Sequence, residues 1–191
     1  MEMSNVWPTI LAALPSVVVS IVGILFGVIQ WINEKRRARN AKTTESLKEK
    51  LRCFYYPYLL LENENTEFYH LFIKDKEDDE VPFRTLTFLV NGRIDELSDN
   101  DKTILNTIVH NDIELYRLIN QSGQHVDSNE LRNDLSKIAV HYKLMELAYS
   151  GKIQEQANST IYSSYVYPRG IKKKIQDEAA RIEGEIKKLR S

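Results

Sequence analysis

The chain has 191 residues, with 26 Lys and Arg against 27 Asp and Glu, one Cys and 42 % hydrophobic residues. That length holds one domain of ordinary size with an appendage. The single Cys excludes an internal disulfide framework and a Cys-based zinc cluster, and the near-zero net charge of −1 excludes a globally basic nucleic-acid binder.

The N-terminus departs from this average. After Glu2 no charged residue occurs until Glu34, which leaves 31 uncharged positions, 3–33. Within them VWPTILAALPSVVVSIVGILFGVIQW, Val6 to Trp31, is the apolar part. As a helix rising about 1.5 Å per residue it reaches roughly 39 Å, enough to cross a hydrocarbon core of about 30 Å with some tilt. Trp7 and Trp31 stand at its ends, where indoles prefer the headgroup interface. The leader MEMSN has no Lys or Arg and the run is too long for a cleavable signal peptide. A permanent transmembrane helix over 1–32 is therefore expected. Lys35, Arg36, Arg37, Arg39 and Lys42 follow it at once, so the positive-inside bias puts the N-terminus outside and the bulk in the cytoplasm. A lone Cys suits that reducing compartment, and the sequon Asn158-Ser159-Thr160 would not meet its enzyme there.

Thr9, Ala13, Ser16, Ser20, Gly23, Gly27, Gln30 and Glu34 recur at spacings of four and three. They share one helix face with the period of a left-handed bundle. Small residues let helix backbones approach, and hydroxyl or amide groups in hydrocarbon seek partners. With one span per chain the partner is another chain, and the pattern predicts a homo-oligomer. In a dimer Ser16/Ser20 and Gly23/Gly27 would touch; in a ring of four or more the stripe would line a pore, with Gln30 and Glu34 at its cytoplasmic mouth. Pro15 removes one helix hydrogen bond in the outer third and offers a kink.

The rest predicts an all-α fold. Residues 33–56 contain no Gly or Pro and read as a basic juxtamembrane connector that prolongs the membrane helix. Pro57 marks a break or kink, and 57–191 a cytoplasmic helical domain. YLLLENENTEFYHLF is one helix, 74–82 a charged loop, and FRTLTFLV (83–90) is open between helix and strand, before the Asn91-Gly92 turn. Ser98-Asp99 caps a helix bearing Ile104, Leu105, Ile108, Ile113, Leu115, Leu118 and Ile119, stopped at Gly123. Asp127 or Ser128 caps the next, with Leu131, Leu135, Ile138, Ala139, Tyr142, Met145 and Leu147 inward and Gly151 at its end. Pro168 starts the last, striped by Ile171, Ile175, Ala179, Ile182, Ile186 and Leu189. Four or five helices in one bundle are expected.

Catalytic signatures for nucleotide-binding loops, zinc proteases and serine hydrolases are absent, so the expectation is a protein that is not an enzyme and needs no cofactor. His70, His110, His125 and His141 are scattered and read as surface or packing groups. Cys53, beside Phe54, Tyr55 and Tyr56, reads as a small buried hydrophobe, and the acidic run 75–80 as a solvated loop without the calcium-loop pattern.

Two segments are basic: 33–52 has eight Lys/Arg against three acids, and 169–190 eight against four. The first matches the positive-inside signal and anionic headgroups, and the second the solvated face of an amphipathic helix. TIYSSYVYPRGIKKK (160–174) sets Tyr162, Tyr165 and Tyr167 before Arg169, Lys172, Lys173 and Lys174. Rings beside cations are what single-stranded nucleic acid or a nucleotide needs, though tyrosines also fill helix junctions. Tyr162, Tyr165, Tyr167, Arg169, Lys172 and Lys173, with Arg36, Arg37 and Arg39, are the candidate ligand contacts.

The layout, with VSIVGILFGVIQW followed by NEKRRAR, resembles bacterial anti-phage membrane effectors, most of all the membrane subunit of the Hailong defence system. The resemblance implies a homotetrameric ion channel in the bacterial plasma membrane. Short DNA oligomers from a partner nucleotidyltransferase would keep it closed, and it would open during infection to depolarise the cell. The alternative is a membrane-tethered dimeric scaffold whose helical domain docks a protein partner.

Overall fold

The computed structural model describes residues 6–74, 76, 83–155, 161, 162, 167 and 170–190, with side chains from residue 24 onward. Among the described residues all regular structure is helical: α1 (Val6–Lys50), α2 (Tyr56–Ile73), α3 (Thr85–Val90), α4 (Asp99–Ser122), α5 (Asn129–Tyr149) and α6 (Ile171–Arg190). The chain divides into two compact units, Met1–Ser46 with Lys188–Ser191, and Leu47–Lys187. That division falls inside the connector expected at 33–56.

In the first unit α1 carries the expected stretch and continues without interruption past residue 33. Ile24, Leu25, Phe26, Val28, Ile29, Trp31 and Ile32 are all exposed on it. Among the described residues no helix is long and apolar enough to cross a membrane. The side chains of 6–23, which hold most of the uncharged run, lie outside them. Asn40 Nδ2 donates to the Leu189 carbonyl at 3.4 Å.

Pro57 does not break the chain. Lys50 and Tyr56 both keep right-handed helical angles, and the Tyr56 N–H donates to the Leu51 carbonyl, five residues back, across a π turn over Leu51–Tyr55. Proline has no N–H, and in an α-helix its ring would strike the carbonyl four residues earlier. Widening the turn by one residue relieves that clash, and Pro57 then sits in the first turn of α2, where a missing N–H is harmless. The wider turn also turns two successive residues, Phe54 and Tyr55, fully inward. Cys53 is accordingly half-buried rather than buried as expected.

In the second unit α2 packs on α4, α4 on α5 and the short α3 on α5. Segment 83–90 resolves as helix from Thr85 onward: α3 buries Thr85, Leu86, Phe88, Leu89 and Val90, too many neighbouring residues for one face of a strand. Its apolar residues join Phe72, Ile73, Leu97, Leu105, Ile108, Val109, Met145 and Ala148 in one core cluster. Gly92, at φ 69°, closes the turn after α3 in a left-handed conformation that favours glycine. Ser98 caps α4 by accepting from the Asp101 N–H at 3.1 Å, and Ser128 caps α5 by accepting from Leu131 at 3.2 Å. Gly123 follows α4 and leads into a short 3-10 turn, and Gly151 follows α5 at φ 69°.

Most expected inward positions are buried, with local shifts. On α5, Ala148 rather than Leu147 completes the stripe. On α4, Val109, Asn111 and Asp112 are buried, whereas Ile104, Ile113, Leu118 and Ile119 are half-buried. On α6, Ile171, Ile175, Ala179, Ile182 and Ile186 are buried and Leu189 is half-buried. Pro168 and most of the loop expected at 74–82 lie outside the described residues. Because Leu105 is completely buried, Leu105→Ala should lower unfolding free energy by about 2–5 kcal/mol. Chemical denaturation of the purified protein followed by circular dichroism checks this.

Candidate functional site

Two acids sit where the helical pattern calls for apolar groups. On α2 the inward stripe runs Tyr58, Glu62, Asn65, Tyr69 and Phe72; on α4 it runs Leu105, Ile108, Asp112 and Leu115. Glu62 is 8 % and Asp112 3 % exposed, and burying carboxylates is expensive unless they are neutralised or hydrogen-bonded. Each meets that demand differently.

Glu62 is held by tyrosines. Tyr142 donates to its Oε2 at 3.1 Å and Tyr167 to its Oε1 at 2.9 Å. The Tyr142 hydroxyl also lies 3.4 Å from that of Tyr58 and 3.3 Å from that of Tyr167. Burial pushes the Glu62 carboxyl above its usual range, while the two phenol donors and the positive charge of Lys172 pull it back. Lys172 itself donates to Thr66 Oγ1 at 3.2 Å.

Asp112 has less support. Asn65 Nδ2 donates to its Oδ1 at 2.7 Å. Burial raises its carboxyl well above the ordinary 3.8, the Asn65 hydrogen bond opposes this, and the charge of Glu62 adds to the rise. His141, whose ring meets the edge of Tyr167 with centroids 5.2 Å apart, is pushed down to about 4 by burial. It is therefore a neutral imidazole at physiological pH.

These groups border a cavity of about 450 Å³ within the second unit. Glu62, Asn65, Asp112, His141, Tyr142 and Tyr167 line one part of it; Tyr69, Phe83, Arg84, Thr85 and Met145 line more. Buried polar atoms without a hydrogen-bond partner among the described residues include Asn65 Oδ1 and Thr85 Oγ1, both of residues that line the cavity. A cavity of this size with aromatic walls and a few convergent polar groups has the character of a small-molecule site.

The candidate ligand contacts read from sequence do not form one platform. Tyr162 is half-buried against the core cluster, its N–H donating to Glu155 at 3.0 Å. Tyr167 lines the cavity, Lys172 is half-buried beside Thr66, and Lys173 is exposed. Arg36, Arg37 and Arg39 are exposed on α1 in the first unit. Lys174 bonds Glu130 at 2.8 Å and Asp134 at 2.7 Å. Tyr165 and Arg169 lie outside the described residues. Of the stripe on α1, Gly27, Gln30 and Glu34 are exposed; the side chains at Thr9, Ala13, Ser16, Ser20 and Gly23 lie outside the described residues. His70 and His110 are exposed and His125 half-buried. No group of three metal-ligating side chains forms among the described residues.

Sequence reasoning missed Glu62, Asn65, Thr85 and Asp112. The available signal was an acid inside each apolar stripe, at positions 62 and 112. No protein-family model matches the chain, and neither a characterised protein nor a solved structure was found to resemble it.

A carboxyl whose folded-state value lies above its unfolded one binds its proton more tightly when folded, so stability falls as pH rises from the unfolded value toward the folded one. Asp112 contributes in this sense from near pH 3.8 upward and Glu62 from near pH 4.5 upward. His141 opposes them between about 4 and 6.5, because its lowered value favours the folded state only once the unfolded imidazole has lost its proton. Asp112→Asn removes one of these contributions and keeps a group able to bond Asn65. It should therefore stabilise the protein at neutral pH by about 1–3 kcal/mol, with the gain vanishing below about pH 3.8. Urea denaturation of both proteins across pH checks it.

Proposed function

We propose that the chain is a homo-oligomeric, single-pass membrane effector whose helical domain binds a small ligand in the Glu62–Asp112 cavity and thereby controls a transmembrane channel. The observation that carries the membrane half is the uncharged run 3–33 ending in Lys35, Arg36, Arg37 and Arg39. The exposed Ile24, Leu25, Phe26, Val28, Ile29, Trp31 and Ile32 support it, because they surround α1 and call for lipid or another copy as cover. The stripe through Gly27, Gln30 and Glu34 supports self-association and, in a ring of four or more, a lumen.

The cavity supports the sensing half. Its two carboxylates would repel a phosphate backbone, and Tyr162 and Tyr167 are engaged inside the domain. The ligand is therefore read as a small molecule rather than the short DNA oligomer implied by the resemblance. A role in anti-phage depolarisation rests on that resemblance alone. The scaffold reading has one observation of its own: Leu60 and Leu71, 70 % and 58 % exposed, share the outer face of α2 and would suit a protein partner.

Oligomer size separates the two. The mass of the detergent-solubilised complex should correspond to four or more chains, and a monomer or dimer would sink the pore. Gly27 has open space where a side chain would go, so Gly27→Leu leaves a single chain undisturbed. It should reduce assembly or bilayer conductance about tenfold; unchanged conductance and mass would remove the stripe from the pore.

A further inference from the structure

We propose that the cavity takes a small organic cation, an ammonium or amidinium on a flat apolar body, gripped by Asp112 and the side-chain oxygen of Asn65. The proposal rests on the reading of this cavity as the ligand site and names the chemistry that site selects.

The donor and acceptor inventory points this way. Asn65 spends an N–H on Asp112, which leaves its own carbonyl oxygen buried and unpartnered beside a carboxylate. With Asp112 ionised both groups only accept, and they sit on facing helices, α2 and α4. A ligand that satisfies them must bring at least two donors, as an ammonium does with three N–H groups and an amidinium with a planar fork. Thr85, 7 % exposed, lines the same cavity, and its hydroxyl has no partner among the described residues.

Charge narrows the class further. Glu62 has the tyrosine hydroxyls and Lys172 acting on it, whereas the charge that acts on Asp112 is the negative one of Glu62. A cation beside Asp112 would supply the missing counter-charge. Arg84 lines the cavity but its side chain is exposed. Phe83, Tyr69 and Tyr142 contribute aromatic rings to the lining, and such rings favour a flat body and a cation.

Isosteric pairs that differ in charge test this directly. The full-length protein in detergent is titrated by calorimetry near neutral pH with benzamidine and neutral benzamide, and with tyramine and neutral 4-propylphenol. In each pair the cation should bind about tenfold or more tightly. Asp112→Asn should abolish that preference while remaining folded, and Thr85→Val should weaken the cation severalfold. Should Asp112→Asn fail to fold, Asp112→Leu carries the same comparison. Equal binding within both pairs, absence of binding by either cation, or a preference that survives loss of Asp112 would overturn the proposal. Bilayer conductance of the same preparation is recorded with and without benzamidine. Charge-selective binding that leaves conductance unchanged would refute the channel reading and leave the cation site standing.

Discussion

The second unit is organised around the burial of one carboxylate. Glu62 of α2 sits inside the protein because Tyr142 of α5 and Tyr167, just ahead of α6, direct their hydroxyls at its two oxygens. Those bonds join segments 80 and 105 residues apart in sequence. Apolar contact alone would let the helices slide over one another, because it has no direction. A buried acceptor that must be met at both oxygens fixes their register. Tyr58 and Lys172 extend the arrangement by a hydroxyl and a charge.

Asp112 depends on the same arrangement and is served less well by it. Its neighbour Glu62 supplies a like charge, and Asn65 supplies one hydrogen bond. Proteins tolerate such groups where binding energy is later drawn from them, since a ligand that satisfies a strained acceptor gains what folding forfeited. The aromatic walls make the cavity suitable for a flat body, and the acids dictate the sign of its charge.

The π turn before α2 is the second constraint. It absorbs Pro57, keeps the backbone helical from α1 into α2, and turns Phe54 and Tyr55 inward together. Tyr58 follows one turn later, within 5.7 Å of Phe54 between ring centroids. Proline thus places an aromatic cluster at the start of the helix that carries Glu62. π turns within helices recur at functional positions, and this one lies at the entrance to the segment that bears the candidate site.

Much of the fold was legible residue by residue. The caps at Ser98 and Ser128 and the stripes on α5 and α6 follow from local rules: a hydroxyl positioned to accept an orphan N–H, and apolar groups every three or four residues. The uncharged run at the N-terminus, the basic residues that follow it and the all-helical class were likewise properties of composition and period. The helix at 85–90 was not legible, because six β-branched and apolar residues satisfy either period and only surrounding burial decides between them. Nor was the site. An acid at position 62 or 112 interrupts an apolar stripe, but what it signifies stays open until the facing helices are known. What buries it, and whether a tyrosine hydroxyl or only a neighbouring amide meets it, depends on residues far away in sequence. Period and capping were set locally by the chain; the pairing of Glu62 with Tyr142 and Tyr167, and the relative isolation of Asp112, were decided by tertiary structure, because a hydrogen bond across a core exists only once both of its ends are in place.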